Sequence, residues 1–175
     1  MVRMDAALAA AALVVVATPM AVWLVGCDDP PAQRARGAAA RITAPFVDNF
    51  DRAEFGGDWR DTGGNWRIVD GAVQGQGARN HPLWLRRRLP RDARIEFDAW
   101  SDTDVGDLKV EVWGDGESFA RTVSYSNATS YVVIFGGWHN SVNVLAPLAG
   151  PGHEHFAFNN WETRVHFDNL RITPL

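Results

Sequence analysis

From Phe46 onward the chain is written in short alternating runs, and that pattern constrains the fold more than any other feature. Asp107-Leu108-Lys109-Val110-Glu111-Val112-Trp113 places Leu108, Val110 and Val112 on one side of an extended strand and the charges on the other. Arg94-Ile95-Glu96-Phe97-Asp98-Ala99-Trp100 repeats the device with Ile95, Phe97 and Ala99 inward. Trp66-Arg67-Ile68-Val69 runs into Asp70-Gly71, a hairpin-turn dipeptide, and then into Ala72-Val73-Gln74. Further strands are expected at Leu83–Leu85, Arg121–Val123, Tyr131–Phe135, Val142–Leu145, His155–Phe158, Arg164–Phe167 and Leu170–Ile172. Glycine, Asp, Asn or Pro punctuates nearly every gap, and no helical period follows Phe46. Many short strands with regular turns predict an all-β, antiparallel sandwich or jelly roll.

Composition bounds the function. The 175 residues carry 17 basic and 21 acidic side chains, and a net charge of −4 argues against sequence-independent nucleic-acid binding, which needs a basic footprint. A single cysteine excludes an intramolecular disulfide framework and a zinc site built from several thiolates. Tryptophan is abundant (8, against 2 Tyr), which supplies flat apolar area but names no ligand.

Ala6 to Gly26 holds no charged side chain and is closed by Cys27, Asp28 and Asp29. Twenty-one uncharged residues are long enough to span a bilayer. Leu24-Val25-Gly26-Cys27, however, resembles the bacterial lipobox, in which the cysteine becomes lipid-modified and starts the mature chain. The resemblance implies a lipoprotein signal peptide over 1–26, lipidation at Cys27, and a cell-envelope location by membrane tethering, with inner or outer membrane open. Residues 27–45, with Pro30-Pro31 and Arg34, Arg36 and Arg41, read as a solvated tether, and 46–175 as the folded domain.

Phe46-Val47-Asp48-Asn49-Phe50-Asp51, Trp66-x-Ile68-x-Asp70-Gly71-x-Val73 and the closing Val165-x-Phe167-Asp168-Asn169-Leu170-x-Ile172 are similar to the concanavalin A-like lectin/glucanase superfamily. Within it the sequence most resembles 3-keto-disaccharide hydrolase-like and laminin-G-like domains of bacterial lipoproteins. One departure is visible. Leu145 runs almost at once into Ala146-Pro147-Leu148-Ala149-Gly150, where such domains carry another hairpin or two, so the chain reads as short by several strands. Lost strands would open one sheet.

The resemblance implies a sugar ligand, and the candidate residues follow from chemistry. Sugars stack their C–H faces on indoles. Trp100 and Trp113 end their expected strands, and Gly136-Gly137-Trp138-His139-Asn140-Ser141 combines backbone freedom, a ring and polar groups; core packing and an ordinary hairpin are the competing readings. Trp100, Trp113, Trp138, His139 and Asn140 are therefore the carbohydrate-binding candidates. Glu96-x-Asp98 resembles half of the β-glucanase signature, but Ser101 stands where its second Glu belongs, so these carboxylates read as a solvated strand face. Asp48-Asn49 and Asp168-Asn169 echo each other, and the fold would bring Asp48 and Asp168 close, where oxygen ligands suit a structural calcium; turn and strand-end hydrogen bonding is the preferred reading of both dipeptides. His153-Glu154-His155 offers two imidazoles but no third ligand, and Arg86-Arg87-Arg88 reads as a solvated turn. The expected role is non-catalytic binding of a carbohydrate or glycoconjugate. A glycoside hydrolase and a protein-interaction or structural sandwich are the alternatives, to be separated by whether carboxylates or an apolar patch are found.

Overall fold

The computed structural model describes residues 39–123, 125–147 and 153–175; Cys27 and residues 1–26 lie outside them. The described chain is an antiparallel β-sandwich with jelly-roll-like architecture. Its strands are β1 (Phe46–Asp48), β2 (Trp59–Asp61), β3 (Arg67–Val69), β4 (Ala72–Gln76), β5 (Leu83–Leu85), β6 (Ala93–Ser101), β7 (Leu108–Gly114), β8 (Tyr131–Gly136), β9 (Val142–Pro147), β10 (His155–Asn159) and β11 (Arg164–Pro174). The first sheet is built on β11. β1 and β4 share one flank of it, β3 extends β4, and β6 pairs along the other flank. The second sheet runs β2-β5-β10-β7-β8-β9.

Local chemistry explains the turns. Asp70 (φ 52°) and Gly71 (φ 79°) both take the left-handed conformation of a type I′ turn, which matches strand twist and sets Val69 opposite Ala72. The two closing strands expected from the sequence are one, β11, with a bulge between Asp168 and Arg171 where Asn169 takes φ 52°. Arg121–Val123, expected as a strand, is instead part of an irregular excursion between β7 and β8.

The main core lies between the sheets. Phe50, Trp59, Leu83, Leu85, Phe156, Phe158, Val165, Phe167, Leu170 and Ile172 are buried there, and Phe158 of the second sheet stacks on Phe167 of the first at 4.3 Å. Leu108, Val110 and Val112 face this core as expected. Lys109 and Glu111 do point the other way, but not into solvent. Glu111 has no exposed surface, and Lys109 is nearly as enclosed. The excursion between β7 and β8 lies across that outer face: Ser118 O accepts the Trp84 indole N–H (2.8 Å), and Ala128 packs with Val132 and Ile134. The charges of β7 thus take the side opposite Leu108, Val110 and Val112, as the alternation predicts, but that side is covered. The covering segment turns that face into a second, partly polar core.

Candidate functional site

The buried cluster on β7 contains the only carboxylates held above their ordinary range among the described residues. Glu111 accepts from Asn159 Nδ2 (2.6 Å), from Tyr125 OH (3.2 Å) and from Ser130 Oγ. Burial pushes its carboxyl up to about 7, against the pull of these donors and of Lys109. Lys109 Nζ donates to Asn80 Oδ1 (2.8 Å) and lies 3.4 Å from Asp107, and burial lowers the amine while raising the Asp107 carboxyl. Such groups in a cleft would be candidates for catalysis. Here every oxygen of Glu111 is engaged and the cluster is sealed.

The outer face of the first sheet is open. β6 alternates as the sequence predicts, so Glu96, Asp98 and Trp100 point away from the core. Trp100 stands opposite His166 in the β6–β11 register, and the two rings stack with centroids 4.9 Å apart and planes within 2°. The indole remains 43% exposed, so its other face is available. His166 Nε2 lies 2.9 Å from Asp102 Oδ1. Beside this stack is a depression of about 520 Å³ lined by Gln76, Asp102, Thr103, Glu162, Thr163 and Arg164, within the size range of small-molecule sites.

The β8–β9 turn reaches the same end of the domain. Trp138, His139 and Asn140 all have positive φ (49°, 57° and 60°) and are exposed. Holding such residues in the left-handed region costs on the order of 1 kcal/mol each. The Asn140 side chain is spent on the β6–β7 loop: Oδ1 accepts Gly106 N (2.9 Å) and Nδ2 donates to Asp104 O. A Cβ on Gly106 or Gly136 would displace the Asn140 carboxamide from this loop, and Gly136 also holds a left-handed φ of 67°. Trp100, Trp138, His139 and Asn140 therefore gather about one loop. No known family model, curated protein or solved structure matches this chain.

Trp113 does not join them. It ends β7, about 20 Å of strand away from Gly106. There its N–H reaches Pro90 O (3.4 Å), its ring meets Tyr131 edge to face, and it lines a second depression of about 700 Å³ with Arg41, Arg91 and Glu154. Alternation locates strand ends but not which ends meet.

β1 pairs with β11, but Asp48 lies opposite the buried Leu170 and faces the core, whereas Asp168 lies opposite the exposed Asp98 of β6 and faces the other side of the sheet. Their chemistry differs from a calcium pair. The Asp48 carboxylate takes both Arg52 guanidinium nitrogens (2.6 and 2.8 Å), Trp59 Nε1 (2.8 Å) and Phe50 N (3.0 Å). Burial alone would raise its carboxyl, but these donors outweigh it and the net shift is downward. Asp168 accepts its neighbour's N–H (Asn169, 2.6 Å). A guanidinium thus fills the place a cation would take. Asp48→Ala is expected to cost about 2 kcal/mol, by stranding the buried Trp59 and Phe50 donors, and chemical denaturation would read the loss. Wild-type melts in calcium and in chelator are expected to superimpose; a shift of the midpoint by calcium would restore the metal reading.

The remaining motifs are tied into the framework. Glu154 pairs with Arg41 and with Arg88 (3.4 Å), His155 Nδ1 meets Leu85 O (2.8 Å), and Arg87 pairs with Asp58 (2.8 Å). No cluster of three metal-ligating side chains occurs among the described residues.

Proposed function

We propose that the domain binds carbohydrate without catalysis, using the open face of Trp100 as its platform. The carrying observation is the Trp100–His166 stack: an indole fixed on one side, exposed on the other, beside a polar depression. A ring held by a neighbour loses little freedom when a sugar lands on it. Asp102, Arg164 and Gln76 supply the acceptors and donors that sugar hydroxyls need. The opening Phe46–Asp51 and closing Val165–Ile172 motifs support a concanavalin A-like domain, and Leu24-Val25-Gly26-Cys27 supports an exported lipoprotein tethered at the cell envelope through Cys27.

The hydrolase alternative would draw on Glu111 and Asp107, and their enclosure counts against it. The interaction-module alternative has an observation of its own, an exposed apolar row on the β8–β9 hairpin.

Trp100→Ala is expected to weaken binding of the best ligand from a glycan panel by at least about tenfold in titration calorimetry, with the melting temperature nearly unchanged. Trp113→Ala is expected to leave that affinity within about twofold. Equal affinity of the Trp100 variant and wild type would remove the site, and hydrolysis of a panel member would replace binding by catalysis.

A further inference from the structure

The outer face of the first sheet continues past Trp100. Register carries one row of side chains across it: Trp100 of β6 lies opposite His166 of β11, His166 opposite Gln74 of β4, and Gln74 opposite Arg67 of β3. Alternation puts all four on the side away from the core, because Ala99, Phe167, Val73 and Ile68 take the other side. Two residues along, Gln76 lies opposite Arg164, and Arg164 O accepts Asp102 N (3.2 Å). Gln76, Arg164 and Asp102 thus form a second row beside the first.

The two rows share one device. Arg67 Nε and Nη2 both donate to Gln74 Oε1 (2.8 and 2.6 Å), and Arg164 Nε and Nη2 both donate to Gln76 Oε1 (3.2 and 3.0 Å). In each pair the glutamine takes one edge of the planar guanidinium and leaves the Nη1–Nη2 edge, which grips a carboxylate through two parallel bonds. Gln74 is only 7% exposed, so the Arg67 fork is fixed on a buried amide. Arg67 has no carboxylate partner among the described residues. Arg164 Nη1 lies 3.6 Å from Asp102 Oδ2, too far for a hydrogen bond. The two rows therefore hold two arginines against one carboxylate. The next pair toward the bulge, Asp98 and Asp168, is acidic and bounds the patch on that side.

We propose that the ligand of this face is an acidic glycan, whose carboxylates the Arg67 and Arg164 forks hold while one of its rings lies on Trp100. The proposal rests on the reading of Trp100 as a sugar platform and names the class of sugar. The forks are anchored two residues apart on β4, about 7 Å, and Trp100 stands two strands from Gln74, about 10 Å. A single pyranose ring does not cover that span, so the ligand is a chain of sugar units lying across the strands. Arginine suits this task better than lysine, because a guanidinium pinned along one edge keeps the orientation of the other.

The test titrates the full chain in detergent with galacturonate, mannuronate and glucuronate tetramers and with the methyl ester of each, which keeps the rings and removes the charge. At least one acid is expected to bind at least about tenfold tighter than its ester. Arg67→Gln and Arg164→Gln are each expected to erode that preference at least about fivefold, with the melting temperature nearly unchanged. Arg67→Lys keeps the charge without the fork and is expected to recover only part of the loss. Trp100→Ala is expected to weaken acid and ester by the same factor. The acid–ester comparison on the wild-type chain needs no variant to fold. Equal binding of acid and ester, an Arg67→Gln protein with the wild-type preference, or no binding of any uronate would overturn the proposal. A neutral glycan bound through Trp100 alone would overturn it and leave the platform standing. Acid binding that Trp100→Ala does not touch would remove the platform and leave the forks.

Discussion

The Glu111 carboxyl is expected to cost the domain about 3 kcal/mol of stability between pH 4.5 and pH 7, and Glu111→Gln is expected to remove that share of the loss. The reason is the enclosure of Glu111 under the β7–β8 excursion, which raises its carboxyl to about 7 from an ordinary 4.5. Below pH 4.5 both folded and unfolded chains hold the proton, and the group contributes no penalty. Between 4.5 and 7 the unfolded chain releases it while the folded chain keeps it, so the folded state binds more protons and stability falls as pH rises. Above 7 both are ionised and the penalty is constant. Asp107 is also raised and adds in the same direction, whereas Asp48, Asp115 and Glu154 are lowered and act below the ordinary carboxylate range. A carboxamide in place of the Glu111 carboxyl is accommodated because the Ser130 and Tyr125 hydroxyls, now donating to Glu111, can turn to accept. Urea titrations from pH 4 to 8 read the effect. A wild-type curve flat between 5 and 7, or a variant with the wild-type slope, would show that the cluster is not sealed as described.

The same cluster marks where sequence reading stops. Alternation in β7 assigned Lys109 and Glu111 to the face away from the main core, which is correct, and gave no sign that this face is covered. A periodic pattern reports which side a residue points to and is silent on what covers that side. The cover, between β7 and β8, has turn chemistry and scattered apolar residues, so it reads as loop; Phe119, Ala120, Tyr125 and Ala128 are packing signals within it. The pairing of β1 with β11 was legible, since first and last strands with matching motifs were expected to pair. The faces of Asp48 and Asp168 were not, because a bulge in β11 resets the alternation and Arg52 folds back from outside β1 to fill the Asp48 carboxylate. Trp100 and the 138–140 turn share one end of the domain, and Trp113 occupies the other, because pairing order decides which strand ends coincide. Among the described residues β9 ends the second sheet, and Tyr131, Phe135 and Leu145 are exposed on its hairpin with β8.

Phe158→Ala is expected to be the most damaging single change, costing about 5 kcal/mol and leaving most molecules unfolded at ordinary temperature. Phe158 is fully buried on β10, where the sheets face each other. Its ring stacks on Phe167 at 4.3 Å and on Trp59 at 5.6 Å, and meets Phe50, Phe97 and Phe156 edge to face or nearly so. These rings come from both sheets and from the segment after β1, so the deletion leaves a cavity that no single neighbour can close. Aromatic pairs of this kind add about 1 kcal/mol each beyond the area they bury, which places the cost at the upper end for a Phe deletion. Phe158→Leu keeps most of the volume and is expected to cost about 2 kcal/mol. The comparison with Phe135→Ala is the sharper test. That ring is as large but half exposed on the hairpin, with no second sheet over it, and its loss is expected to cost under about 1 kcal/mol. Denaturant midpoints of the three variants therefore rank the sandwich core against its overhang. A Phe158→Ala protein as stable as Phe135→Ala would mean that the two sheets do not share the core described for them.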